Sequence, residues 1–217
     1  MENQHSNYMS PPDGLILAGG QSVRMGKDKA LLTIAGATLV EHQIKNMLPR
    51  VQHLYIAANH MTDALRSRMP HFGEDKKLIW LEDHLDGAHG PLSGVTAALT
   101  KMQFSTARYL WVSSCDAYGV DKGVLPLLQK ALLENDADIA CLTVDGREQP
   151  LQALLDCHLG SDLKPWLEAG NRSVFRWYHR HKMVTVSLND THKGCYNINT
   201  PADYQSLLQT QTHCSDS

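Results

Sequence analysis

Short apolar runs alternate along this chain with longer segments in which apolar residues recur at helical spacing. The apolar runs predict β-strands at Leu15–Leu17, Leu54–Ala58, Leu78–Leu81, Tyr109–Val112 and Ile139–Val144. The helical spacing predicts helices over Thr38–Leu48, Thr62–Met69, Pro91–Met102, Gly123–Glu134, Leu159–Ala169, Ser173–Tyr178 and Pro201–Leu208. Such alternation is typical of a mostly parallel sheet that carries helices on both faces.

The length of the chain and its two ends predict a single domain. The 217 residues match the usual size of one α/β domain, roughly 100 to 200 residues. The first residues are polar and end in Pro11-Pro12, and the last residues are also polar. We therefore expect a flexible lead-in over residues 1–12, one domain over residues 13–208 and a flexible tail over residues 209–217.

Composition and charge exclude several classes of protein. The net charge of −3 and the pI near 6.4 lack the basic footprint of a nucleic-acid-binding protein. No apolar run approaches the roughly 18 to 20 residues of a membrane helix, and the N-terminus lacks the features of a secretory signal. The five cysteines form no C-x-x-C pair, and the 12 histidines show no zinc-site spacing. We expect a cytoplasmic protein that contacts neither nucleic acid nor membrane.

A glycine-rich loop follows the first predicted strand. The apolar run Gly14–Ala18 leads into Gly19 and Gly20, where the absence of a Cβ lets a ligand approach the backbone closely. Successive N–H groups in such a turn form an anion-binding concavity. Charge-assisted hydrogen bonds to phosphate are available from Arg24, Lys27 and Lys29. The pattern indicates a nucleotide-binding loop.

Two well-known phosphate loops do not match this segment. A P-loop has four residues between its glycines and a serine or threonine after its lysine. Here five residues separate Gly20 from Gly26, and Asp28 follows Lys27. The dinucleotide fingerprint G-x-G-x-x-G is also absent from the turn. The sequence therefore favours neither a P-loop ATPase nor a nicotinamide-dependent enzyme.

Acidic side chains follow two further strands of the predicted sheet. Glu82-Asp83 comes directly after the third strand, and Ser113-Ser114-Cys115-Asp116 comes after the fourth. Ligands of open α/β sheets bind outside the carboxyl ends of the strands. We therefore expect these segments to meet the glycine-rich loop at one edge. Carboxylates combined with substrate phosphates are the usual setting for Mg²⁺, which makes Asp116 the candidate metal ligand.

The stretch Leu17–Leu32 resembles the L-A-G-G-x-S-x-R-M-G-x-D-K-x-L-L signature of the molybdenum cofactor guanylyltransferases and their nucleotidyltransferase relatives. Further family motifs match in the same order, namely E-D at 82–83, G-P-L-x-G at 90–94, C-D at 115–116, G-x-x-x-P-x-x-A-L at 146–154 and N-x-N-T-P at 197–201. The resemblance spans most of the chain. It implies a single-domain, three-layer α/β/α fold with a Rossmann-like, mostly parallel sheet of the nucleotidyltransferase type.

The resemblance also implies roles for particular residues. It assigns catalysis to Arg24, Lys29 and Asp116, and a magnesium ion to Asp116. It assigns nucleotide binding to Leu17, Ala18, Gly19, Gly20, Lys29, Asn59, Asp83 and Asp116. It assigns acceptor binding to Asn197 and Asn199, which alternation along a strand would place on one face.

Three positions depart from the family pattern. Ala57 stands where the family has an asparagine after the second strand, and Asn59, two places later, is the nearest substitute. Tyr118 replaces the usual proline of the C-D motif. Gln149 precedes Pro150, where histidine is common in the family. These losses put the asparagine contact and the shape of the loop after Asp116 in question.

The resemblance implies a reaction in which the terminal phosphate of molybdenum-bearing molybdopterin attacks GTP, giving the guanine dinucleotide cofactor and pyrophosphate. Its implied partners are GTP, molybdenum-molybdopterin, other molybdenum cofactor biosynthesis proteins and molybdoenzyme chaperones. The Gly19-Gly20 pair favours guanine, because cytidylyl relatives tend to have Ala-Ala-Gly there. A cytidylyltransferase, a sugar-phosphate nucleotidyltransferase and a non-catalytic cofactor-binding or delivery protein remain as alternatives.

Overall fold

A computed structural model of the chain describes residues 9–19, 29–58, 62–73, 75–81, 90–118, 123–188, 196–198 and 200–212. The described strands are β1 Asp13–Leu17, β2 Thr33–Ile34, β3 Ala37–Thr38, β4 Leu54–Ala57, β5 Leu78–Leu81, β6 Tyr109–Ser114, β7 Ala117–Tyr118, β8 Ile139–Val144, β9 Arg147–Asp156, β10 Met183–Ser187 and β11 Tyr196–Asn197. The described helices are α1 Leu39–Met47, α2 Thr62–Arg68, α3 Pro91–Lys101, α4 Val124–Asn135, α5 Gly160–Glu168, α6 Val174–Tyr178 and α7 Pro201–Thr212.

The main sheet has the strand order β10-β8-β9-β6-β1-β4-β5. Neighbouring strands pair in parallel except at β9, which runs antiparallel to both β6 and β8. Strand β1 lies between β6 and β4, so the segments that follow these three strands leave the sheet side by side at its carboxyl edge. This arrangement confirms the predicted mostly parallel α/β fold.

Helices cover both faces of the sheet. Helices α1, α2 and α4 contribute to one apolar core, and α3, α5 and α6 contribute to the other. Strand β1 serves both cores, because Leu15 and Ile16 are fully buried on opposite faces, as the alternation of side chains along a strand requires. The three-layer arrangement expected from the sequence is therefore present.

A capping box fixes the start of α1, the helix that lies behind the sheet edge. The Oγ1 of Thr38 accepts from the backbone N–H of Glu41 at 3.3 Å, and the Oε2 of Glu41 accepts from the backbone N–H of Thr38 at 2.6 Å. Burial raises the pKa of Glu41, but the hydrogen bonds from Thr38, together with the attraction of His71 and Lys45, outweigh it and leave that pKa below its ordinary value. These reciprocal bonds satisfy helix N–H groups that otherwise have no partner.

Strand β9 is absent from the sequence-based prediction. Its first residues are polar and include Pro150, a pattern that argues against a central strand. The structure differs because the strand is irregular. Ala153 lies opposite Cys141 of β8, whereas the next β8 residue, Leu142, lies opposite Gln149. The residues between Gln149 and Ala153 form a bulge, and this releases Gln152 from pairing with β8.

The last helix also extends beyond its predicted end. Helix α7 begins at Pro201, as predicted, but continues to Thr212 rather than ending at Leu208. It therefore enters the segment for which a flexible tail is expected. Its 12 residues equal the length of α4. Among the described residues, no helix is both long and apolar enough to cross a membrane.

Gly94 sets how closely α3 approaches the sheet. A Cβ at this position would lie 2.6 Å from Cδ2 of Leu17 and 2.9 Å from the Cβ of Ala57. The Ala57 contact cannot relax by a side-chain rotation, so α3 would have to shift. Overpacking costs about 1–3 kcal/mol, and alanine's helix propensity returns at most about 1 kcal/mol. We expect the variant Gly94→Ala to lose about 1–2 kcal/mol of unfolding free energy in chemical denaturation.

Gly160→Ala is the matched control for this helix–sheet contact. Gly160 begins α5, and a Cβ there would lie 3.3 Å from its nearest neighbour, the Cβ of Leu99. We expect a smaller change in unfolding free energy than at Gly94. Equal stability of the Gly94→Ala variant and the natural protein would contradict the steric explanation.

A charged network at the amino edge of β6 predicts acid sensitivity. The Oδ2 of Asp156 lies 2.8 Å from Nε of Arg108, and its Oδ1 lies 2.8 Å from Nδ1 of His158. Burial raises the pKa of Asp156, but hydrogen bonds from the backbone and ring of His158 and from Arg108 outweigh it, so that pKa is lowered. A lowered folded-state pKa stabilises the protein above the unfolded value of about 3.9. This stabilisation is lost as the pH falls through the folded-state pKa.

We expect Asp156→Asn to remove that dependence. Unfolding free energy of the natural protein, measured by chemical denaturation between pH 7 and pH 3, should fall more steeply below about pH 4 than that of the variant. Asp145→Asn, at an exposed position in the β8–β9 turn, should retain the natural profile. Parallel pH profiles for the natural protein and the Asp156 variant would contradict this prediction.

Candidate active site

The candidate site lies where β1 and β6 end side by side. Leu17 is paired with Ser114 at the last register position of the two strands. Beyond them, the backbone N–H of Cys115 donates to the carbonyl of Leu17 at 3.0 Å, and the N–H of Ala18 donates to the carbonyl of Ala57 at 2.8 Å. The beginning of the glycine-rich loop and the turn that carries Asp116 are therefore adjacent.

An ion pair connects the far end of the glycine-rich loop with this turn. The Nζ of Lys29 lies 2.9 Å from Oδ2 of Asp116. Their side chains are 19% and 17% exposed. Lys29 begins a short 3₁₀ turn whose next residue, Ala30, is buried, so the chain returns to the core directly after the lysine. The structure thus brings together two residues 87 positions apart in the sequence.

The C-terminal part of the chain returns to the same turn. Tyr196 pairs with Tyr118, and Asn197 pairs with Ala117, in a short antiparallel ladder. The backbone N–H of the buried Ile198 donates to the carbonyl of Asp116 at 3.2 Å. The backbone of the first two residues of the N-x-N-T-P motif therefore lies beside the Asp116 turn.

The described part of the site holds Leu17, Ala18, Gly19, Lys29, Asp116 and the backbone of Asn197. Ala18 is buried, and Gly19 is half-buried. Several predicted site residues lie outside the described residues, namely Gly20, Arg24, Asn59, Asp83 and Asn199. Their roles stay predictions.

All three departures from the family pattern have described surroundings, and Ala57 faces Gly94 of α3. Tyr118, in place of a proline, lies in β7, and its ring meets the ring of His42 on α1 edge-on with centroids 5.1 Å apart. Gln149 lies in β9 and donates through Nε2 to the carbonyl of Arg147 at 3.2 Å. Tyr118 thus packs the turn after Asp116 against α1.

Two buried glutamines at this edge were not identified from the sequence. Gln43 of α1 and Gln152 of β9 are each 3% exposed. The side chain of Gln43 contacts Ser113 at the end of β6 and the carbonyl of Ala117 in the turn that follows. The side chain of Gln152 contacts Ser113 and Ser114. A signal for Gln43 existed in the helix pattern. Its position falls on the face otherwise formed by the apolar, buried residues Leu39, Val40, Ile44 and Met47. A polar residue on such a face needs a specific partner.

The chemistry of Asp116 fits a divalent cation. A carboxylate is a hard oxygen ligand, and its position against a lysine ammonium shows that it accommodates a cation. Over the residues that the structure describes, no group of three or more histidine, cysteine, aspartate or glutamate side chains could hold a metal ion. A single carboxylate fits the usual setting of Mg²⁺, which takes its other ligands from substrate phosphates and water.

Comparisons with known proteins give consistent results. The family model described as the MobA-like NTP transferase domain matches residues 14–184. A protein named molybdenum cofactor guanylyltransferase, from Shewanella baltica strain OS155, is 36% identical over 201 residues, covering 92% of this chain and 97% of the relative.

Solved structures share the fold. The molybdopterin-guanine dinucleotide biosynthesis protein A of Archaeoglobus fulgidus superposes with a TM-score of 0.73 at 23% identity, covering 94% of this chain and all of that one. Rv0371C of Mycobacterium tuberculosis H37Rv, solved as a complex with manganese, gives a TM-score of 0.64 at 16% identity, covering 93% of this chain and all of that one. At these identities the superpositions show the fold alone.

Proposed function

This chain belongs to the MobA-like NTP transferase family, and we propose that it transfers GMP from GTP to the terminal phosphate of molybdenum-bearing molybdopterin. It is a nucleotidyltransferase. In the reaction, an oxygen of the acceptor phosphate forms a bond to the α-phosphorus of GTP. The bond between the α-phosphorus and the bridging oxygen breaks, and pyrophosphate leaves with the electron pair. The product is the molybdopterin guanine dinucleotide cofactor.

The contact between Lys29 and Asp116 is the observation that carries this proposal. A cation from the phosphate-binding loop and a carboxylate at the end of a central strand lie 2.9 Å apart and mostly shielded from water. Electrostatic interactions are stronger in such a setting than in bulk water. This pair supplies opposite charges for phosphates and for a metal ion at one point of the sheet edge.

The substrates are supported by sequence similarity. The Shewanella relative, named for guanylyl transfer to the molybdenum cofactor, aligns over nearly its whole length. The Gly19-Gly20 pair of this chain agrees with a preference for guanine. Asn197 and Asn199 are the proposed acceptor contacts, and the backbone of Asn197 runs beside Ala117. Asn59 and Asp83 are the proposed further contacts to the nucleotide.

The residues of this chain act by alignment and by offsetting charge. An acceptor phosphate is already anionic, so no side chain has to serve as nucleophile. Lys29 and Arg24 would bind the triphosphate and reduce its repulsion of the incoming phosphate. The loop backbone from Leu17 to Gly20 would hold the nucleotide in register. Correct alignment of two reactants can lower a barrier by about 7–11 kcal/mol in favourable systems.

Asp116 is the proposed ligand of a divalent metal, and we assign Mg²⁺ to it. The ion would neutralise phosphate charge and orient the leaving group when it is bound. The ammonium of Lys29 contacts this carboxylate in the structure, and binding of the triphosphate would give that ammonium a further anionic partner. Other molybdenum cofactor biosynthesis proteins and molybdoenzyme chaperones are the proposed partners that supply the acceptor and receive the product.

Product identification tests the proposal directly. The purified protein is mixed with molybdenum cofactor and with GTP, CTP or ATP in separate reactions, each with Mg²⁺, with Mn²⁺ or with a chelator. We expect a guanine dinucleotide, identified by mass, together with pyrophosphate, only when GTP, the cofactor and a divalent metal are all present.

The alternatives give different results in the same assay. A cytosine dinucleotide would indicate a cytidylyltransferase. Pyrophosphate release with a sugar phosphate, but not with the molybdenum cofactor, would indicate a sugar-phosphate nucleotidyltransferase. Binding of a verified cofactor without any product would indicate a binding or delivery protein.

A further inference from the structure

We propose that Gln43 and Gln152 are positioning residues that fix the turn carrying Asp116, and thereby set the affinity of the site for its divalent metal. This inference rests on the proposed function, because it takes Asp116 as the metal ligand. It concerns two residues that contact neither Lys29 nor the carboxylate of Asp116 through any bond described above. The two glutamines instead bond to backbone and hydroxyl groups around Asp116.

The amide of Gln43 spans the turn. Its Nε2 donates to the carbonyl of Ala117, the residue after Asp116. Its Oε1 lies 3.4 Å from the Oγ of Ser113, three residues before Asp116. One side chain from α1 therefore contacts the chain both before and after the metal-binding position. Because α1 is anchored in the core through Val40, Ile44 and Met47, it offers a rigid support.

The amide of Gln152 holds the strand end from the other side. Gln152 lies opposite Ser113 in the antiparallel ladder between β6 and β9. Its Oε1 accepts from Ser113 Oγ at 3.1 Å, and its Nε2 donates to Ser114 Oγ at 3.2 Å. The bulge in β9 ends at this residue, and bulges commonly redirect a side chain beside a functional site.

The carbonyl of Asp116 itself is held by a third element. It accepts from the backbone N–H of Ile198 at 3.2 Å, beside β11. The carbonyls of Asp116 and Ala117 are thus bound from two different segments, one by Ile198 directly after β11 and the other by Gln43 of α1. These bonds hold the two successive peptide groups that follow Asp116, and so they restrain the backbone of the turn that carries its carboxylate.

Burial distinguishes this network from incidental surface contacts. Gln43, Ser113, Ser114 and Gln152 are 3%, 0%, 7% and 3% exposed. Burying four polar side chains is unfavourable unless they bond to one another. Apolar residues of similar size would fill the same space without this requirement. A buried network of hydrogen bonds rigidifies its surroundings. Replacing residues that orient a metal ligand typically lowers metal affinity or activity by about 10- to 100-fold.

The variant Gln43→Met tests the role of the amide. Methionine keeps an unbranched side chain of similar size but offers no donor to Ala117. Mn²⁺ binding is measured by electron paramagnetic resonance on the purified protein with a non-hydrolysable GTP analogue. We expect affinity for Mn²⁺ to fall about 10-fold or more, and kcat to fall by a similar factor. Binding of the nucleotide without metal should change less than about threefold.

Two further variants separate positioning from general loss of stability. Ile44→Val removes one methylene from a fully buried neighbour on α1, so it perturbs the same helix and leaves both amides intact. It should retain the natural affinity for Mn²⁺. Gln152→Met removes the second amide and should weaken Mn²⁺ binding in the same direction, which keeps the test available if the Gln43 variant does not fold.

The outcomes separate this inference from the proposed function. Unchanged Mn²⁺ affinity in the glutamine variants, or an equal loss in Ile44→Val, overturns the positioning role. If the natural protein and Asp116→Asn bind Mn²⁺ equally well in the presence of nucleotide, Asp116 is not the ligand, and the positioning role is overturned too. If the natural protein binds Mn²⁺ through Asp116 but forms no product, only the proposed reaction is overturned.

Discussion

Replacing Asp116 with asparagine is expected to lower the rate of guanylyl transfer by at least about 100-fold. Asparagine keeps the shape of the side chain but removes its negative charge. The variant therefore loses both the proposed anionic ligand for a metal ion and the carboxylate charge that faces Lys29, 2.9 Å away. The measurement is steady-state formation of the guanine dinucleotide at saturating GTP, repeated over a range of Mg²⁺ concentrations.

Asp136→Asn is the matched control for the loss of one carboxylate. Asp136 follows α4, its side chain is fully exposed, and its left-handed backbone suits asparagine. We expect this variant to retain the natural rate. Turnover of GTP by Asp116→Asn within a few-fold of the natural protein, with its fold intact by circular dichroism, would remove Asp116 from the metal site.

Replacing Lys29 with methionine is expected to lower kcat/KM for GTP by about 100-fold. The change removes the ammonium next to Asp116 and leaves a mostly buried carboxylate without the cation that faces it. The bound nucleotide also loses its interaction with one positive charge of the protein. Lys29→Arg should recover only part of the loss, because a planar guanidinium does not reproduce the geometry of an ammonium. Initial rates at varied GTP concentration separate the effects on kcat and KM.

Lys45→Met controls for the loss of a positive charge near the same part of the sequence. Lys45 is exposed in the last turn of α1, and its replacement should leave kcat/KM unchanged. If Lys29→Met and Lys45→Met gave the same kcat/KM as the natural protein, Lys29 would have no part in phosphate binding. A loss confined to Lys29→Met would support the proposed contact.

The sequence predicts most of the regular elements because their local patterns agree with their surroundings. Strands such as Leu78–Leu81 and Ile139–Val144 are found within the predicted bounds, since both form apolar runs bounded by polar turns. Strand β9 escapes prediction because one half is polar and contains Pro150. Its identity as a strand depends on the partners β6 and β8, which lie far away in the sequence.

The two glutamines show a different limit of sequence reasoning. A single glutamine on an apolar helix face signals that a partner exists, but the partner of Gln43 is the carbonyl of Ala117, 74 residues later. A backbone carbonyl leaves no trace in the amino-acid pattern. Only the packing of α1 against the β6–β7 turn decides which group the amide contacts.

By itself, the sequence determined the class of fold and the position of a carboxylate at the end of a central strand, because both follow from local periodicity. A contiguous motif in the same sequence predicts a phosphate-binding loop with its cations. The tertiary structure decided that Lys29 meets Asp116, that β11 runs beside the Asp116 turn, and that two buried amides hold that turn. The physical reason is that these contacts join residues distant along the chain. Their energies depend on burial and on directed hydrogen bonds that exist only once the sheet and its helices have assembled.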